Sequence, residues 1–321
     1  MMDVLTYPET SKPYLQAFSR QGITPIYSGQ APLYFPSGKQ AIRLLRERLA
    51  LHCHDYYMCV PGVEFLSLKQ YLWVALVRHH GRDAAMTIMP ESFVLSAKRD
   101  LVRLTHKINL NLPIKMIAKG RGHNRKAVDV VNLSDLQNLR RSDGYILVQE
   151  LIECSDLLDG EIFNIRVYGI INYFNGRLSG VIAREGKIIY SESADNPITA
   201  NSVVKKDTLP RYTSQLFASS IPLNEANFWS GVCSLFRKMI DSIADKTAAS
   251  GALPNERFSQ LVGLDIILNK QNVPLVLECN DRAQLHPTDE HDRVLKAGVF
   301  HDWVDSFLLE SSEPHLDWQE C

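Results

Sequence analysis

The chain has 321 residues, 45% of them hydrophobic and 22% charged, proportions of an ordinary globular protein long enough for two or three packed units. A formal net charge of -1 gives no whole-molecule attraction for nucleic acid or an anionic membrane, so no nucleic-acid partner is expected and any basic site must be local. No apolar run is long enough to cross a bilayer, and the N-terminal MMDVLTYPET is acidic with an early proline, so a cytoplasmic protein without a membrane partner is expected.

The first unit, residues 1–88, opens in a Pro, Gly and Ser-rich stretch. Tyr27, Tyr34 and Phe35 lie in it, as loop packing or as a contact surface for an acceptor. An amphipathic helix KQAIRLLRERLALH follows, then LHCHDYYMC with His52, Cys53, His54 and Cys59. Zinc sites pair two separated ligand clusters; no second one follows, so the cluster is not read as a zinc site. The six cysteines contain no C-x-x-C pair and are expected as reduced thiols. A second helix runs from about Leu68 through KQYLWVALVRHH and stops at Gly81.

The second unit, residues 89–150, reads as extended IMPESFVLS, helix SAKRDLVRLTHKI, strand IKMIAK, a glycine-bearing basic loop, strand KAVDVVN, helix SDLQNLRR and strand YILVQELI. In the loop, Lys119 follows the apolar strand, Gly120 and Gly122 free the backbone, and Arg121, Arg125 and Lys126 supply charge. Glycine lets main-chain amides approach an anion and the cations neutralise it, so the loop reads as a phosphate grip, with an exposed basic hairpin tip as the alternative. No Walker pattern is present. In VQELI, the main chain of Gln149, Glu150, Leu151 and Ile152 can meet an adenine edge in an apolar cleft.

The third unit, residues 151–321, alternates strands IFNIRVYGIINYF, RLSGVIAREG and KIIYSES with a long helix around FWSGVCSLFRKMIDSIADK, then a hairpin and a C-terminal helix. Asn164 and Arg166 share a face by the period-two rule. An arginine between Ile and Val on a buried strand requires an anion, and Arg184 offers a second guanidinium; for both, a structural salt bridge is the alternative. The hairpin joins LVGLDIIL to VPLVLECN through a turn at Asn269 to Asn272. Antiparallel pairing brings Asp265 and the Glu278-x-Asn280 pair to neighbouring positions on one face, where three hard oxygen ligands suit Mg²⁺ held with substrate phosphates. The whole is an α+β arrangement with mostly antiparallel sheets.

In this order the motifs resemble the ATP-grasp superfamily, and within it the tubulin-tyrosine-ligase-like branch, from about Leu68 to Leu309. SLKQYLWVALVRHH with MPESFVLS looks like that branch's lysine-bearing helix and proline-containing strand, IAKGRG like its second lysine and Arg-Gly loop, VQELI like its hinge, DGEIFNIRVY like its glycine-to-arginine strand, and VGLDIIL with LVLECN like its metal-binding Asp and Glu-x-Asn. The resemblance implies an ATP-grasp fold, with ATP held between the unit 89–150, as a lid, and the unit 151–321. It implies Lys69, Lys119, Arg121 and Gly122 on the phosphates, Gln149 to Ile152 at adenine, Asp265, Glu278 and Asn280 on magnesium, and Arg166 and Arg184 at the reacting group. Asn164 and Arg282 are the expected substrate contacts. Where the branch carries a lysine and an aspartate before its arginine, this chain has Ile162 and Asn164, and the usual Pro-Ser after Glu-x-Asn is replaced by Asp281 to Gln284. The implied activity is ATP- and Mg-dependent ligation of an amine, such as an amino acid, to the carboxylate of a peptide, protein or small molecule through an acyl phosphate. A kinase acting on a hydroxyl and a non-catalytic ATP-binding protein are the alternatives.

Overall fold

The computed structural model describes residues 2–6, 10–28, 31–35, 56–110, 114–120, 128–132, 136, 144–152, 158, 161–193, 196–199, 209–219, 221–250 and 256–321. The helix expected over 39–52, residues His52, Cys53 and His54, the loop carrying Arg121 and Gly122, and all but Leu136 of the helix expected over 134–141 lie outside them.

Four short N-terminal strands, β1 (Met2–Leu5), β2 (Ile23–Ile26), β3 (Leu33–Tyr34) and β4 (Tyr56–Tyr57), are followed by β5 (Ser92–Val94), β6 (Lys115–Gly120), β7 (Val128–Asn132) and β8 (Tyr145–Glu150). The latter four form an antiparallel sheet in the order β5-β8-β6-β7. A ten-stranded sheet contains β9 (Phe163–Phe174), β10 (Arg177–Ser193), β11 (Asn196–Thr199), β12 (Arg257–Leu268), β13 (Pro274–Asn280) and β14 (Trp318–Glu320) together with the N-terminal strands. Its order is β11-β10-β9-β12-β4-β3-β1-β2, with β13 on β12 and β14 on β10. Strands β9 to β14 pair antiparallel, as expected, whereas β1 to β4 pair parallel and continue the same sheet through β4 and β12.

Helices α1 (Lys12–Arg20), α2 (Val63–Ser67), α3 (Lys69–His80), α4 (Arg82–Met86) and α5 (Lys98–Asn109) precede the large antiparallel strands or lie beside the small sheet. Helices α6 (Thr213–Ala218), α7 (Glu225–Asp241), α8 (Ala244–Ala248) and α9 (Glu290–His301), with a π-helical turn over Asp302–Leu308, complete the chain. Helix α3 ends at Gly81, as expected, and the φ of 82° there favours glycine.

Alternation along β9 decides what each face covers. Ile165, Val167 and Ile171 join one core with Phe228, Trp229, Val232, Phe236 and Met239 of α7, while Tyr168 and Ile170 join another with Leu295, Val299 and Phe300 of α9 and with Trp303. Gly169 lets α7 press onto β9, since a Cβ there would lie 2.8 Å from the Phe236 ring. A third, smaller core of Phe93, Leu104, Met116, Ala118 and Val148 lies between α5 and the small sheet.

Two expectations of the first unit are decided here. Tyr34 and Phe35 are buried, so they pack inward, and Tyr27 alone of the three is exposed. A disulfide joins Cys233 of α7 to Cys321, against the expectation of reduced thiols throughout, while Cys59 and Cys279 are free and buried. The 88-residue separation hides the pair in sequence; pairing of β14 with β10 brings it together. Among the described residues no helix is long and apolar enough to cross a membrane.

Candidate active site

Four charged residues form one cross-strand row on the α9 face of the large sheet. Lys187 of β10 is opposite Arg166 of β9, Arg166 is opposite Asp265 of β12, and Asp265 is opposite Glu278 of β13. Directly opposed side chains in antiparallel strands have Cβ atoms roughly 4.5–5.5 Å apart, so the register alone lines up two cations and two carboxylates. The hairpin that makes this possible closes at Asn269, whose side-chain oxygen accepts from Gln271 N and Val273 N while Asn272 takes φ 60°. Gly263, two residues before Asp265, leaves room for the arginine, because a Cβ there would sit 3.3 Å from Arg166 Cδ.

Arg166 grips Asp265 through both ends of its guanidinium: Nε donates to Oδ1, and Nη2 donates to Oδ2 at 2.9 Å. Burial pushes the Asp265 carboxyl up, against the pull of Arg166. Burial acts the same way on Glu278, but the hydrogen bond with Asp265 and the charges of Lys119 and Lys69 outweigh it and hold Glu278 below the usual carboxylate range. Asn280 stands opposite Gly263, two residues along, with its Nδ2 3.5 Å from the Gly263 carbonyl oxygen. An all-oxygen set of two adjoining carboxylates, Asp265 buried and Glu278 half-buried, with an amide, fits Mg²⁺.

Lys69, the first residue of α3, and Lys119, at the end of β6, both act electrostatically on Glu278. Lys119 is buried, and its Nζ donates to Gln149 Oε1 at 2.6 Å, while Gln149 Nε2 donates to Ser92 Oγ at 3.0 Å. Burial pushes the Lys119 ammonium down to about 8, with Glu278 opposing that shift.

Two expected site contacts have other partners in the structure. In the adenine hinge, the Glu150 N–H donates to Glu91 O at 2.8 Å and the Leu151 N–H to Lys115 O at 3.0 Å. Strand β8 is central in its sheet, so these donors are committed to the ladder; Gln149 works instead through its side chain on Lys119, and Glu150 pairs with Lys107. Ile152, just beyond the ladder, is half-buried. Arg184 does not join Arg166. Its guanidinium is held by Glu225 of α7, on the opposite side of the sheet from α9, at 3.2 Å and by Asp317 at 3.1 Å. Arg184 shares the α7 face with Ile182 and Ile188 by plain alternation, and two extra residues between Ile182 and Gly186 shift the register without changing the face, which sets Lys187 opposite Arg166.

Lys187 is not among the sequence candidates, and the register that sets it opposite Arg166 has no local sequence signal. Its Nζ lies 3.2 Å from Asp292 Oδ2 and also bonds Thr288, and Lys296 lies 2.9 Å from the same Asp292 oxygen. Asp292 and Lys296 are buried on α9; the only sequence signal for them was an acid and a base four residues apart. Asn164 is buried on the same face as Arg166, and the Arg282 guanidinium lies over Phe35, 5.4 Å from the ring centroid.

Residues 198–315 match the sequence model of the tubulin-tyrosine ligase family, which belongs to the ATP-grasp superfamily. The matched segment includes Asp265, Glu278, Asn280 and Arg282; Lys69, Lys119, Arg166 and Lys187 precede it. No curated protein matches the chain.

Proposed function

Taking as premise the tubulin-tyrosine ligase family match over residues 198–315, which includes the acidic half of this row, we propose that the protein is an ATP- and Mg²⁺-dependent carboxylate–amine ligase that forms an amide or peptide bond and releases ADP and phosphate. The observation that carries the reading is the juxtaposition of Lys187, Arg166, Asp265 and Glu278 across four strands, with Lys69 and Lys119 acting on its acidic end.

In this reading ATP lies between the small sheet and the large one, its phosphates on Lys69 and Lys119 and on Arg121 and Gly122, and its base near Ile152. Asp265, Glu278 and Asn280 would hold Mg²⁺, which would supply charge neutralisation for the phosphates. Arg166, fixed by two bonds to Asp265, keeps its remaining N–H donors for the oxygens of the acyl phosphate and then for the tetrahedral oxyanion formed as the amine attacks. Lys187 adds a second positive charge, replacing Arg184 in that role. No nucleophilic side chain is required, because positioning and electrostatics carry the step. The substrates are an amine, such as an amino acid, and a carboxylate on a peptide, protein or small molecule, with Asn164 and Arg282 as proposed contacts. The unit 89–150 acts as the lid, 151–321 carries the metal and reacting groups, and 1–88 contributes to acceptor recognition; the cytoplasm is the proposed location.

The test is ADP release from Mg-ATP with pools of amino acids and carboxylates, run in parallel with hydroxylamine. A hydroxamate formed with one carboxylate is the expected result, and Glu278→Gln should abolish ADP release without loss of fold. ADP accompanied by a phosphorylated hydroxyl and no hydroxamate would overturn the ligase reading.

A further inference from the structure

Away from the charged row, at the C-terminal end of α9, His301, Asp302 and His315 bring one ligand atom each to within 4.8 Å of one another. His301 Nδ1 lies 3.4 Å and His315 Nδ1 3.1 Å from the same oxygen, Asp302 Oδ1. We propose that these three side chains form a binding site for a zinc-type divalent ion that clasps the C-terminal segment to the end of α9.

The first argument is acceptor capacity. Five nitrogens address the Asp302 carboxylate: His315 N at 2.8 Å and the two imidazole Nδ1 atoms at Oδ1, and Leu316 N at 2.9 Å and Trp318 Nε1 at 2.8 Å at Oδ2. A carboxylate offers about four lone-pair sites, two on each oxygen, so Oδ1 is asked to accept three donors. An ion between Oδ1 and the two imidazoles replaces two of those contacts with one metal–oxygen bond and leaves the main-chain bond in place. The second argument is spacing. Zinc bonds of about 2.0–2.1 Å to nitrogen and oxygen put tetrahedral ligands roughly 3.3–3.4 Å apart, close to the two separations observed.

The third argument lies behind His301. Its other nitrogen, Nε2, is 3.2 Å from Asp305 Oδ2. A metal-bound histidine commonly donates its remote N–H to a carboxylate, which fixes the tautomer and leaves the near nitrogen as a lone pair. The π-helical turn Asp302–Leu308 begins at this point, and Asp302 is fully buried while His315 is more than half exposed. The segment carrying His315 is already held by the pairing of β14 with β10 and by Cys321 on Cys233, so His315 is presented to an ordered partner. Nitrogen-rich donors select a zinc-type ion over Mg²⁺, in contrast with the all-oxygen set at Asp265 and Glu278.

The test is zinc titration by calorimetry on the full chain in excess Mg²⁺, which keeps the oxygen site occupied, with Co²⁺ substitution as a spectroscopic reporter and no nucleotide present. The expected result is saturable binding of one equivalent, tetrahedral cobalt bands without thiolate charge transfer, and loss of that binding in His315→Ala and His301→Ala. Asp305→Asn should weaken it by about 10-fold, the usual cost of losing an outer carboxylate. His315→Ala should melt like the wild type in chelator, since that side chain is largely exposed. Unchanged zinc affinity in both histidine variants, thiolate charge transfer with cobalt, or no saturable binding by the wild type would overturn the proposal. None of these readouts depends on ligase activity.

Discussion

Arg166 and Asp265 stand directly opposite each other on β9 and β12 and are joined by two guanidinium–carboxylate bonds, so a proposed metal ligand is also the anchor of the proposed oxyanion-binding arginine. The salt bridge and the functional role are the same contact. Removing either partner leaves a buried charge unpaired, which typically costs about 3–5 kcal/mol. Arg166→Met should therefore destabilise the protein by that order in urea unfolding. Arg166→Met with Asp265→Asn should recover part of the stability and none of the ADP release; full additivity of the two losses would refute the coupling.

Arg184 and Lys187 lie on opposite faces of β10, and Lys187 stands opposite Arg166. Exposed ion pairs contribute about 0–1 kcal/mol, so Arg184→Met, which loses contacts to Glu225 and Asp317, should leave stability and turnover nearly unchanged. Lys187→Met should lower kcat at least tenfold, on the order of 1.4 kcal/mol in the barrier. A reversed ranking in steady-state kinetics would restore Arg184 to the site.

Gln149 and Ser92 hold Lys119 in place through a chain of two side-chain bonds. Gln149→Leu and Lys119→Ala should each raise the ATP KM by about tenfold, and the double variant should be no worse than Lys119→Ala, because groups in one network are not additive. Independent, multiplying effects would show that Gln149 acts on the nucleotide by another route.

Asp292 sets a pH dependence. Burial raises its pKa, but the hydrogen bond and charge of Lys296, with Lys187, outweigh burial and hold the carboxyl below its ordinary value of 3.8. A carboxylate depressed on folding contributes stability that is fully present above its unfolded pKa and is lost as pH falls through the folded one. The contribution should therefore persist at neutral pH and disappear below about pH 4. Asp292→Asn should be less stable at neutral pH, with a shallower fall in acid; parallel unfolding curves for variant and wild type would contradict this.

Much of the site was legible because hairpin pairing is a local matter. Two apolar runs around a short Asn-rich turn have few registers, so Asp265 and Glu278 are brought close, and a register shift between Val276 and Glu278 then sets them opposite each other. Lys119 and the helix ending at Gly81 were equally readable from strand and cap chemistry. What the sequence by itself determined was thus the set of short-range elements and the acidic end of the row. The tertiary structure decided the basic end: the β10–β9 register set Lys187 opposite Arg166 and left Arg184 on the other face, and the ladder of β8 claimed the main-chain donors of Glu150 and Leu151. It also decided which distant groups meet, Asp292 above Lys187, Cys321 on Cys233 and His315 at Asp302, because strand order and helix placement answer to burial of the whole chain rather than to any local pattern.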